Sequence, residues 1–107
     1  MKKLIRDNIP EIMKRDGVEC KYYVADKDEF KEMLIKKLGE ECSELQVALT
    51  ENNMAHVYEE YGDVTDILNM LKNIYAIEGN TLRDSMVRKH TVKGGFTKRL
   101  IGEFKDE

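Results

Sequence analysis

Two long stretches of helical apolar periodicity, separated by only four residues, constrain the fold of this chain more than any other feature. From Asp28 the pattern runs through Phe30, Leu34, Leu38, Leu45 and Ala48, widened by Met33 and Leu49, until TENN at 50–53 breaks it. It resumes with Val57, Tyr61, Val64, Ile67, Leu68, Leu71, Ile74 and Tyr75, and Gly79-Asn80 are expected to end it. So short a connection leaves two helices as antiparallel neighbours, and the spacing therefore predicts a helical hairpin.

The flanking segments are shorter. KKLIRDNIPEIMKRDG reads as an extended lead and a short helix, with Asp7 or Asn8 as cap, Pro10 in the first turn and Gly17 at the exit. VECKYYVA, 18–25, is expected to be a brief strand or an extended arm. Thr81 is expected to cap a third major helix, TLRDSMVRKHTVK, which stops at Gly94-Gly95, and the tail GFTKRLIGEF to be extended. The expected fold class is all-α, with short extended N- and C-terminal segments, in one domain over 1–107. Hydrophobic residues make up 41% and charged residues 36%, which leaves little spare core. The hairpin and third helix are therefore expected to be completed into a bundle by oligomerisation, as a homodimer or homotetramer.

Acidic residues interrupt both apolar stripes. Glu41 lies three residues after Leu38 and four before Leu45; Glu44 follows three later. On the second helix Glu60 lies three after Val57 and four before Val64, with Asp63 three beyond it. Residues three or four apart share a helix face, so the faces that should pack each carry two carboxylates. Glu59 and Asp66 project to the more polar side, and Glu40 sits at a margin. An uncompensated buried charge costs several kcal/mol out of the roughly 5–15 kcal/mol that keeps a domain folded. Basic partners, raised pKa values or cations would relieve it. No lysine or arginine lies on the apolar faces at these positions; Lys37, one turn before Glu41, is nearest. Protonation near neutral pH suits one clustered acid and not four. Divalent cations remain, and an all-oxygen carboxylate set favours Mg²⁺, with Mn²⁺ or Ca²⁺ as alternatives, over zinc or copper.

A Mg²⁺ cluster is suited to phosphate chemistry, because the ion keeps waters and is commonly shared with substrate phosphates. No GxxxxGK[ST] loop is present, so a P-loop NTPase is excluded. Lys89 and Lys93, one turn apart, together with Lys98 and Arg6, are candidate phosphate-side cations.

The spacing ExxE at Glu41–Glu44, fifteen residues, then ExxD at Glu60–Asp63 resembles the all-α nucleoside triphosphate pyrophosphohydrolase (MazG-like) superfamily. KLIRDNIPEIMKRDG and KGGFTKRL resemble its phosphoribosyl-ATP pyrophosphohydrolase-like branch, often described as house-cleaning enzymes. The resemblance spans nearly the whole chain. It implies Mg²⁺-dependent hydrolysis of a nucleoside triphosphate to monophosphate and pyrophosphate by helical oligomers. It also implies Glu41, Glu44, Glu60 and Asp63 as metal ligands, Glu40 as a residue orienting water or supporting a ligand, and Asp66 and Asn69 as a further ligand or a substrate contact.

Other classes fit less well. The net charge of −3 opposes a nucleic-acid binder that works by broad phosphate neutralisation. No apolar run approaches the roughly 20 residues that span a bilayer, and MKKLIRDNIP reads as no secretory signal. A cytoplasmic protein is expected, with Cys20 and Cys42 as reduced thiols. A di-metal oxidase would carry ExxH motifs, but His56 precedes Glu60 by four and reads as a surface or hairpin-end residue. The chief alternative is a non-catalytic helical module of the same fold that binds metal or protein. Gly39 and Gly62 each cost a helix about 1 kcal/mol relative to alanine. Gly62 is read as permitting either close helix approach or ligand access.

Overall fold

A computed structural model describes residues 1–105. It contains four helices, α1 (Ile9–Arg15), α2 (Lys27–Thr50), α3 (Met54–Ile74) and α4 (Gly79–Lys93), and no strand among the described residues. The chain falls into two compact units, Met1–Ala76 and Ile77–Glu107.

In the first unit each helix end has a local cause. Pro10 sits in the first turn of α1, where its missing N–H costs nothing. Asn8 precedes that helix without a side-chain cap. Gly17 takes φ +75° at the exit, so Val18 N–H reaches Met13 O (2.8 Å) and Gly17 N–H reaches Lys14 O (3.1 Å). These paired bonds satisfy carbonyls that the helix leaves open. Segment 18–25, expected as a strand or arm, forms no strand; with no neighbouring strand, its backbone groups have no ladder to join. Asp26 caps α2 by accepting Glu29 N–H at 2.8 Å.

The hairpin turn is tighter than TENN suggested, with Thr50 still helical. Asn52 adopts φ +55°, and Asn53 N–H returns to Ala48 O at 3.2 Å. The Asn53 side chain then accepts His56 N–H at 3.3 Å, so one asparagine closes α2 and opens α3. Within this unit α2 packs along α3. Leu34, Ala48 and Val57 are buried there, with Phe30, Leu38, Leu45, Val64, Ile67, Leu71 and Ile74 half-buried around them. Leu49, Tyr61, Leu68 and Tyr75, counted in the stripes by spacing, are exposed. The contact seam is narrower than the apolar faces.

The end of α3 corrects the sequence reading. Ala76, at φ +51°, makes the turn that Gly79 was expected to make, and its N–H bonds Asn73 O at 3.1 Å. Gly79 and Asn80 instead open α4 in the second unit. Glu78, and not Thr81, caps that helix, accepting Asn80 N–H (2.9 Å) and Thr81 N–H (2.7 Å). Gly94, at φ +76°, ends it as expected. No residue of α4 is buried. The tail turns at 96–99, where Arg99 N–H bonds Phe96 O, and is not extended throughout. No helix among the described residues is long and apolar enough to cross a membrane.

Candidate metal centre

The α2–α3 seam brings the acids of the two motifs together. One carboxylate oxygen each from Glu41, Glu60 and Asp63 lies within 4.8 Å of the others. The helical spacing is responsible: residues that alternate with Leu38, Leu45, Val57 and Val64 at intervals of three and four must face the partner helix. Glu41 and Glu60 are both only 6% exposed, while Asp63 sits at the edge, half-buried.

Four basic or imidazole contacts surround the cluster, more than sequence spacing allowed for. Lys37 Nζ stands 3.3 Å from Glu41 Oε1, so the lysine one turn away does reach the buried acid. His56 Nε2 lies 3.1 Å from Glu60 Oε1. Arg6, from the segment before α1, donates to Asp63 Oδ1 at 2.7 Å and lies 2.9 Å from Asp66 Oδ2. These contacts compensate one side of each acid. The other side is bare: Glu41 Oε2 and Glu60 Oε2 are buried and meet no donor among the described residues.

That arrangement shifts Glu60. Loss of solvent first, then the adjoining Glu41 and Glu44 carboxyls, push its pKa from 4.5 up to about 7. The Arg6 guanidinium is held in its charged form by hydrogen bonding to Asp66 and then to Asp63.

The donor set fits a hard dication. Ligand oxygens across an octahedral Mg²⁺ are about 4.2 Å apart and across Ca²⁺ about 4.6–5.2 Å, so a 4.8 Å cluster spans one ion after small side-chain movements. Buried oxygens without donors are the feature such an ion would satisfy.

Glu44 is exposed and borders the cluster, close enough to act on Glu60. Glu40, Asp66 and Asn69 are exposed. Lys89 and Lys93 lie on α4 and Lys98 in the turn after it, all exposed in the second unit; Arg6 is the one phosphate-side candidate in the first. Spacing missed His56, although its position four before Glu60 is the signal for a shared helix face. A Cβ at Gly62 would meet nothing within 4 Å, which removes close approach of α2 as the reason for that glycine. Comparison of the chain with protein-family models, with curated proteins and with solved structures gave no match.

Proposed function

We propose that this chain is a Mg²⁺-dependent nucleoside triphosphate pyrophosphohydrolase that converts an ordinary or damaged NTP or dNTP to the monophosphate and pyrophosphate. The observation that carries the metal half of the reading is the pair of buried, donorless oxygens, Glu41 Oε2 and Glu60 Oε2. The nucleotide half rests on the resemblance of ExxE–ExxD and KLIRDNIP to pyrophosphohydrolases. In this reading Glu41, Glu44, Glu60 and Asp63 hold Mg²⁺ or Mn²⁺. The bound ion supplies charge neutralisation and polarisation of a phosphoryl oxygen. His56 steadies the Glu60 carboxyl from outside, and Glu40, next to Glu41 on the solvent side, orients the attacking water. Water adds at phosphorus, pyrophosphate leaves, and Arg6, beside the acidic cluster, meets the phosphate oxygens. The protein acts in the cytoplasm as a homodimer or homotetramer, because a protomer with so few buried apolar side chains gains core by pairing.

The test is pyrophosphate release from a panel of nucleotides with Mg²⁺ and with Mn²⁺. Glu41→Gln should reduce turnover by more than the roughly 10–100-fold that follows loss of a residue supporting a metal ligand. Unchanged turnover rejects the ligand assignment. The second reading, a non-catalytic helical module, is favoured by the exposed apolar stripe Met54, Tyr58, Tyr61 and Leu68 on α3, which would seat a protein partner. Metal binding with no turnover of any nucleotide would select it.

A further inference from the structure

The metal reading leaves one contact without a purpose. Arg6 lies outside the hairpin, in the segment before α1, yet its guanidinium spans Asp63 and Asp66, one helical turn apart on α3. It therefore occupies the exposed member of the three-acid cluster, while the two buried members keep donorless oxygens. A guanidinium and a dication compete for the same carboxylate lone pairs, and both cannot hold Asp63 Oδ1 at full strength. The Arg6 side chain is itself 63% exposed, so it can leave Asp63 without opening the core.

We propose that Arg6 is a built-in counter-ion of the acidic cluster, displaced from Asp63 when a dication binds and thereby released beside the site for an anionic substrate. The inference rests on the metal reading of Glu41, Glu60 and Asp63. Displacement links two events. Metal uptake works against the Arg6–Asp63 pair, and the segment 1–8 keeps only its Arg6–Asp66 contact with α3 as the ion arrives. The same cation that neutralises the cluster without metal then stands within reach of phosphate oxygens once metal is present. Asp66, away from the cluster, can retain the guanidinium loosely and keep it local.

The test uses the full chain with Mn²⁺ alone as probe. Titration calorimetry should show Arg6→Gln binding Mn²⁺ about fivefold more tightly than the unaltered protein, the change in equilibrium constant that an exposed ion pair near the top of its usual range controls. A dissociation constant that is equal or weaker overturns the proposal. Tryptic cleavage after Arg6 in the unaltered protein gives a second readout that needs no variant. Mn²⁺ should accelerate it by freeing the guanidinium, and a rate that Mn²⁺ leaves unchanged also overturns displacement. Glu60→Gln separates the two levels of the argument. Uptake lost in Glu60→Gln, with Arg6→Gln identical to the unaltered protein, sinks the inference alone. No Mn²⁺ uptake by the unaltered protein sinks the metal reading and the inference together.

Discussion

Glu60 carries the sharpest consequence at the scale of single residues. Its carboxyl is buried, contacts His56 through one oxygen, leaves the other without a donor beside the Glu41 and Glu44 carboxyls, and has a pKa raised from 4.5 to about 7. In the metal-free protein, the folded state holds a proton that the unfolded chain has released above pH 4.5. The stability from this group is therefore complete below about pH 4.5 and lost as the pH rises through about 7. Glu60→Gln keeps the shape and removes the titration. In EDTA its melting temperature should exceed that of the unaltered protein by a margin that widens from pH 5 to 8, each kcal/mol appearing as roughly 4–8 °C in a chain of this size. A margin constant across that range would reject burial of an ionisable Glu60. Sequence placed Glu41 and Glu60 in the seam correctly, because helical phasing alone decides which side a residue faces. It missed Arg6 as a partner, which arrives from a distant segment, and set Lys37 aside although a lysine four before Glu41 shares its helix face.

At the scale of the helices, exceptions to propensity are informative. Gly39 and Gly62 lie inside α2 and α3, and a Cβ at either meets nothing within 4 Å in the protomer. Gly62→Ala and Gly39→Ala should therefore each stabilise the metal-free protein by about 0.5–1 kcal/mol, read as a higher denaturant midpoint. If Gly62→Ala gains this stability while Mn²⁺ uptake falls, the glycine serves ligand access; destabilisation would mean that another surface approaches there. Ala76 presents the opposite case, since a left-handed residue without glycine's freedom ends α3. Ala76→Gly should stabilise by up to about 1 kcal/mol. The caps show why boundaries were harder to read than helices. Gly79 looked like a terminator and Thr81 like a cap, but Glu78 accepts both Asn80 and Thr81 N–H groups and moves the cap of α4 back by three residues.

For the whole molecule, the deciding quantity is apolar surface left open. Among the described residues only Leu34, Ala48 and Val57 are buried hydrophobic residues, while Ile35, Val47, Leu49, Tyr58, Tyr61 and Leu68 remain exposed on the hairpin. Together they are apolar surface open to a partner. If a second copy covers it, the melting temperature should rise with protein concentration across roughly a hundredfold range, as mass action requires. Tyr61→Lys should then abolish that rise and shift sedimentation to the protomer. A concentration-independent melt with protomer sedimentation would reject self-association and leave the face to a different protein.

By itself the sequence determined the four-helix content, the short hairpin connection and the facing of Glu41 and Glu60, all consequences of local spacing along a helix of 3.6 residues per turn. Tertiary structure alone decided which carboxyl oxygens lose water and what neutralises Asp63. Packing of α2 on α3 removed water from two carboxyl oxygens, and the fold of segment 1–8 carried a guanidinium onto a third acid fifty-seven residues away. Burial and long-range charge pairing depend on where separate segments meet in space, a relation that periodicity within one segment does not encode.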